Sequence, residues 1–489
     1  MTGRADGAPR RLLVVADADS YVKWGAALAS TLGPDWVARL VVIASPVQPS
    51  ARQLAHALSG SRFDPAEVRI VPLDARRGEG GLDAELDAFD PHAVLLALRG
   101  PFVRVLAPRL NRRATRPAIL SGFPGLTIPA VPKAVIYREQ TDLIVLHSRR
   151  EVREFRANAH ELGVDPMLGL ATLPFLAVAG RGGPAAASRS EAATDVVFAA
   201  QAKVPAEREH RVELLAALAE LARRSAPHRV VVKVRARTGE AQTHAEAHDY
   251  ADLLAELDDV PSNLVVADGP MAGRLARAAA LVTVSSTAAL EAVALDLPVL
   301  LVDDFGVSPA MINTVFEGAD LFGSTSDLVA GRFRHADAAW LADNYFHGPE
   351  ADDWMARLDA LVAAREIVPL PAIERRHDLS GGALRWAFER RRMLGTHDRG
   401  LAGAIAWAVG VPVRAAVRRL RRLRRAFSGG SVDGRGVPVD VPEVRLGIAA
   451  DTGLLVGGEL APHLARHPGD ERARRHDRAL EHHGARRDQ

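Results

Sequence analysis

The sequence predicts an α/β protein of two domains, each a parallel sheet with helices on both faces, meeting at an interdomain cleft and followed by basic helices. Three observations lead there. Short continuous apolar runs alternate with segments of helical spacing, the pattern of strands buried on both faces. That pattern lapses in a Gly/Ala/Ser-rich stretch, residues 177–193, and then restarts. Beyond about residue 366 the strand pattern ends and arginine takes over.

The first domain, residues 1–176, carries the runs "RLLVVAD", "RLVVIAS", "VRIVPLD", "AVLLALR", "RPAILSGF" and "TDLIVLHS". Each reads as a buried strand, and "WGAALASTL" and "ARQLAHALSG" supply helical spacing between them. The second domain, residues 194–365, repeats the alternation in "TDVVFAAQ", "HRVELLAALAELARR", "HRVVVKVRA", "NLVVADG", "LVTVSS", "AALEAVALD" and "PVLLVDD". Two such domains leave a cleft between the carboxyl ends of their sheets, where ligands of doubly wound folds bind. Residues 366–427 read as a basic helical extension, in which Val413, Val417, Leu420, Leu423 and Phe427 recur at near-helical spacing. An apolar face beside arginines suits the surface of an anionic membrane, so residues 403–427 are expected to touch one peripherally. A solvated helix docked on the first domain is the other reading; a nucleic-acid partner is not expected. From residue 428 onward Gly, Arg, His and Asp dominate, and disorder is expected.

Composition narrows the classes. At 489 residues the chain can bury sizeable cores, and its 48% hydrophobic content is that of a globular protein. It has no cysteine, which removes disulfide frameworks, thiolate chemistry and cysteine-bound metals. No apolar run approaches the roughly 18–20 residues of a spanning helix, and no secretory leader is evident. The expected location is the cytoplasm, at the inner face of the plasma membrane.

The chemistry centres on "VSSTAALEA", where a strand ends in Ser285, Ser286 and Thr287 and a helix begins at once, with Glu291 one turn in. Free N–H groups and hydroxyls there could hold a phosphate, and Glu291 a sugar hydroxyl. Ordinary capping by Ser286 or Thr287 explains the same residues. In "HRVVVKVRA", Lys233 and Arg235 leave a strand on one side and could clamp that phosphate. Alternatively, Lys233 pairs with an interior carboxylate such as Asp268. In the first domain Asp17 and Asp19 follow the first strand, as an N-cap or as a base for an acceptor hydroxyl, and His147, ending another strand toward the cleft, is a further catalytic candidate or a structural histidine. No Walker loop or GxGxxG follows the first strand, so neither nucleotide hydrolysis nor dinucleotide redox chemistry is indicated. His244 and His248 lack a His-Glu-x-x-His pattern, and no metal or other cofactor is expected.

These residues bring a resemblance with them. "VSSTAALEAVALDLPVLLVDDFG" resembles the Ser-Ser/Thr…Glu-Ala…Pro-Val segment of GT-B-type glycosyltransferases, which have two Rossmann-like domains. Bacterial capsule, sialic-acid and Kdo transferases are the nearer relatives in that motif. "ADADSYVKW", "YREQTDLIVLHSRREV", "AAQAKVPAEREHR" and "KVRARTGEAQTH" are similar to an actinobacterial family described as putative glycosyltransferases. The resemblance implies that Ser285, Ser286 and Thr287 bind donor phosphate, with Glu291 near ribose or sugar and Gln201 and Arg208 bordering the donor. It implies metal-independent transfer from a nucleotide sugar to a hydroxyl of a cell-surface glycan or lipid-linked acceptor. A CMP-linked sialic-acid-like or Kdo-like donor fits the motif, but the His-Pro pair those enzymes place after the strand matching "VVVKV" is absent. A sugar-nucleotide epimerase, a glycerol-phosphate polymerase and a non-catalytic nucleotide-binding scaffold at a membrane are the alternatives.

Overall fold

The computed structural model describes residues 8–74, 80–174, 176, 193–234, 248–269, 271–377, 382–412 and 419, all within the unit Met1–Leu455. Residues 177–192, Arg235, all of 413–427 except Arg419, and the tail from 428 lie outside the described residues, and so do the linker, clamp, amphipathic-helix and disorder expectations placed on them.

The first sheet comprises β1 (Arg10–Ala16), β2 (Trp36–Ile43), β3 (Arg69–Val71), β4 (Ala93–Ala97), β5 (Ala118–Gly122), β6 (Leu143–Leu146) and β7 (Met167–Leu170). Its order is β3-β2-β1-β4-β5-β6-β7, with every pair parallel. Period-two geometry sends successive side chains to opposite faces. Leu12, Val14 and Ala16 join Trp24 and Leu28 on one face, while Leu13 and Val15 join Phe102 and Leu106 on the other. Both faces are therefore core, which is why the strands read as unbroken apolar runs. The edge strand β3 is shorter than "VRIVPLD" suggests, and Arg69 and Ile70 on it are exposed.

The second sheet comprises β8 (Asp195–Ala199), β9 (Val230–Lys233), β10 (Leu264–Ala267), β11 (Ala278–Thr283), β12 (Val299–Val302) and β13 (Phe322–Gly323). Its order, β10-β9-β8-β11-β12-β13, is again all parallel. In both sheets the chain winds outward one way and then reverses. The reversal falls between β1 and β4 in the first sheet and between β8 and β11 in the second. Loops diverge at such a point and leave a crevice beyond the carboxyl ends.

The chain then crosses back. Helix Trp354–Ile367 buries Trp354, Leu358 and Val362 in the core of the first domain, beside Leu143 and Val145 of β6. Asp353 anchors its start: the Leu170 N–H donates to Asp353 Oδ1 at 2.7 Å, and the Asp353 N–H donates to the Leu170 carbonyl at 3.0 Å. Residues 354–365, assigned by sequence order to the second domain, thus belong by packing to the first. The apolar stripe at every fourth residue explains this, because only the first sheet offers it an open face.

The basic extension begins by docking rather than by standing in solvent. The Arg116 guanidinium donates to the Pro371 carbonyl and pairs with Asp142, and Ile373 N–H donates to Asn111 Oδ1 at 2.9 Å. Helix Gly382–Leu394 follows and inserts Met393 and Leu394 into the first-domain core.

Leu358→Ala tests the crossing. Truncating a fully buried leucine should cost about 2–5 kcal/mol in denaturant unfolding. A loss within about 0.5 kcal/mol, typical of a surface site, would place the helix outside that core.

Candidate active site

Each reversal is bridged by a polar contact between its two loops. In the first domain Arg99, following β4, donates from Nε to Asp17 Oδ2 at 2.7 Å, with Asp17 at the end of β1. Asp17 is fully buried. Burial pushes its carboxyl above the usual range, and the Arg99 guanidinium only partly opposes this. Sealed and paired, Asp17 is not presented to an acceptor, which corrects its assignment as a candidate base. Asp19 is the accessible one of the two. It is the first residue of helix Asp19–Ser30, with Ala18 in the cap position, and it is half-buried.

One turn along the same helix stands Lys23, which is exposed. Its ammonium acts on a carboxylate of the other domain, that of Glu291. Burial is the largest influence on Glu291 and pushes its carboxyl up; Lys23 and Lys233 both pull it down. Helix Asp19–Ser30, the end of β9 and helix Ala288–Ala294 thus carry charges that act on one another. Lys233 is the last residue of β9 and is buried. Its charge acts on Glu291 of its own domain.

The second reversal is closed by Gln201, after β8, whose Nε2 donates to the Ser285 carbonyl at 2.6 Å. Gln201 Oε1 is buried with no partner. The Ser285 hydroxyl is turned inward to the Ile312 carbonyl, holding the turn rather than facing solvent. Ser286 Oγ accepts from the Ala288 N–H at 3.2 Å and so caps the first helical N–H from the position before the N-cap residue Thr287, while its own N–H donates to Thr283 Oγ1 at 3.2 Å. Thr287 is exposed and its side chain makes no cap bond. Of the three hydroxyls, one is structural, one caps, and the Thr287 hydroxyl is left outward.

Two sequence candidates are placed elsewhere. Arg208 lies exposed at the start of helix Arg208–Ser225 and pairs with Glu256, so it is a surface ion pair and not a wall of the crevice. Arg211, one turn on, is buried and donates to the carbonyls of Gln201, Ala202 and Pro205. It shapes the loop that presents Gln201, and no sequence signal separates it from Arg208 in so arginine-rich a segment.

His147 is likewise a correction. It is fully buried, and Trp24 Nε1–H donates to its Nε2 at 2.8 Å. The ring proton is thereby assigned to Nδ1, which donates to the Ala171 carbonyl at 2.9 Å. The Trp24 indole reaches His147 because Gly122 has no side chain; a Cβ there would meet the indole and lie 2.7 Å from the Val145 carbonyl oxygen. His147 splices helix Asp19–Ser30 to β6 and β7, with both ring nitrogens engaged inside the fold.

Sequence reasoning missed Glu151. It is fully buried and accepts from the N–H groups of His147 (2.8 Å) and Thr127 (3.1 Å) and from the Tyr345 hydroxyl (2.8 Å). Tyr345 belongs to the second core, so this carboxylate joins the domains. Its pattern in the sequence is that of any first-turn glutamate after a serine cap. Among the described residues no group of three or more His, Asp or Glu is placed to hold a metal ion.

Two parallel-sheet Rossmann-like domains, each with a reversal point in its strand order, make an α/β protein of the GT-B type. The family model described as "Putative glycosyltransferase (DUF6716)" matches residues 12–361, and the chain belongs to that family. No curated protein matches it in sequence. Solved structures it is similar to include the UDP-GlcNAc 2-epimerase of Methanocaldococcus jannaschii, at 11% identity and a TM-score of 0.47, covering 72% of this chain and 99% of that one. Another is the Neisseria meningitidis UDP-GlcNAc 2-epimerase bound to UDP-GlcNAc, at 12% identity and 0.44, covering 66% and 90%. A third is Arabidopsis thaliana UGT89C1 complexed with quercetin, at 14% and 0.44, covering 73% and 99%.

Burial lowers the proton affinity of His147. The unfolded chain takes up a proton near pH 6.5 that the folded chain refuses, so stability is intact above about pH 6.5 and falls below it. Between about pH 7.5 and 5.5, His147→Gln should flatten the wild-type slope by up to about 1.4 kcal/mol per pH unit. Equal slopes in denaturant titrations would contradict a neutral, sealed His147.

Proposed function

We propose that the protein transfers a sugar from a nucleotide-linked donor to an acceptor hydroxyl, holding the donor at the second reversal point and the acceptor beside the first. One observation carries this reading: the Glu291 carboxyl feels the charges of Lys233 of its own domain and of Lys23 of the other. A half-buried acid under the influence of one cation from each domain suits a ligand with a diphosphate or phosphate at one end and sugar hydroxyls at the other. Family membership supports the same reaction class.

In the transfer the acceptor oxygen forms a bond to the anomeric carbon as the bond from that carbon to the phosphate oxygen breaks. The electron pair leaves with the phosphate. Lys233, with the outward Thr287 hydroxyl, meets the charge that grows there. Arg235, two residues beyond Lys233 in sequence, offers a further positive charge to the same phosphate. Lys23 brings a cation from the other domain when the domains close, which also excludes water from the donor. Glu291, held toward its protonated form, shares a hydrogen bond with a donor hydroxyl. Asp19 takes the proton of the acceptor, a role that Asp17 cannot fill while bound to Arg99. The lysines, rather than a metal ion, do the electrostatic work in this scheme, and a cell-surface or lipid-linked glycan supplies the hydroxyl.

Calorimetric titration with CMP, CDP, UDP and GDP tests the reading. One of these should bind, and Lys233→Ala should weaken it roughly tenfold or more, the worth of a charge-assisted hydrogen bond. Asp19→Asn should leave that binding intact and slow transfer by about 10²–10⁴, with EDTA making no difference to the wild-type rate. Failure of every nucleotide to bind, or binding indifferent to Lys233→Ala, would overturn it.

A further inference from the structure

We infer that the helix at residues 401–412 seats the protein on a lipid surface rich in anionic headgroups. From Gly400 to Val413 the sequence has no charged side chain, and the Trp407 N–H is its one polar group. The helix nevertheless has two distinct faces. Gly403 and Ala406 are buried and Gly410 half-buried, and they form the inner face. A Cβ on Gly403 would collide with the Asp398 carboxylate and one on Gly410 with the Phe388 ring, so the helix lies hard against helix Gly382–Leu394. Trp407 stacks on Phe388 with ring centroids 5.3 Å apart.

The outer face is where a water-exposed helix carries polar residues. Here Leu401 is 83% exposed, Ile405 62% and Val409 48%, at intervals of four, with Val411 at 37% beside them. No described residue covers this stripe. A twelve-residue helix is about 18 Å long, and no described helix is long and apolar enough to cross a membrane. Its geometry is that of a segment lying in the interface with one face inserted.

Charge selects the occupant. The chain runs from this helix straight into residues 413–427, which contain seven arginines and no acid. A second copy of the same face would bring two such runs together, which is repulsive. Anionic headgroups neutralise them while acyl chains receive the leucine, isoleucine and valine, two contributions that add. This seat stands apart from the transferase reading, since it uses no residue of the crevice.

The full chain should sediment with vesicles of phosphatidylcholine plus phosphatidylglycerol and not with phosphatidylcholine alone. The double variant Ile405→Asp/Val409→Asp should lose roughly tenfold or more of that binding, with its melting temperature and nucleotide titration unchanged. Three outcomes would overturn the inference. The wild type fails to sediment with the mixed vesicles, or the variant sediments equally well. Or the variant melts lower or changes from dimer to monomer, meaning that the chain itself or a second copy covers the stripe.

Discussion

The Glu151 carboxylate is the point on which the two-domain arrangement rests. Burying a charge is costly unless its lone pairs are met, and here two backbone N–H groups of the first domain and the Tyr345 hydroxyl of the second meet them. The acid therefore cannot be satisfied by either domain alone. Around it, Arg150 donates to the Val315 carbonyl and Arg153 pairs with Asp343, both from the same helix, Arg149–Glu161. Ile128, Leu173 and Leu176 of the first domain's chain enter the second core, and helix Trp354–Ile367 enters the first. With the joint built this way, the Lys23 charge of the first domain acts on Glu291 of the second.

Within that frame the two crevices are built differently. The first is closed by a charge pair, Asp17 with Arg99, sealed beneath the helix that carries Asp19 and Lys23. Arg138 reinforces the neighbouring strand end. It is fully buried, donates to Ser121 Oγ and the Gly122 carbonyl, and lies 3.7 Å from the Phe123 ring centroid. Its proton affinity falls to about 10 through burial. The second crevice is closed by neutral groups, Gln201 to the Ser285 carbonyl, and keeps its charged residues for the space outside. The two crevice floors thus differ, a charged hydrogen-bonded pair in one domain and a neutral amide–carbonyl bond in the other.

The sheets were legible in the sequence because burial on both faces leaves no alternation, so that "RLLVVAD" and "PVLLVDD" read as unbroken apolar runs. The second-domain turn was legible in part: Ser286 Oγ bonds the Ala288 N–H, and Gln201 reaches the Ser285 carbonyl at the same turn. What the sequence hid was orientation. Nothing local shows that the Ser285 hydroxyl turns inward, that Asp17 is claimed by Arg99 some eighty residues later, or that His147 is claimed by Trp24. Long-range partners decide these roles. In so arginine-rich a chain, no single arginine announced itself; hence Arg208 drew notice and Arg211 did not. The return of residues 354–367 to the first domain was hidden for the same reason, since an apolar stripe does not name the sheet it will cover.

The central claim is that a nucleotide sits at the second reversal point and is sensed across the cleft. Hydrogen–deuterium exchange on the full chain, with and without whichever nucleotide diphosphate or monophosphate binds, addresses it directly. The account predicts slowed exchange in 200–205, 232–234 and 284–291, together with 19–24 of the opposite domain. Protection confined to other segments, or absent from both reversal points, would contradict it.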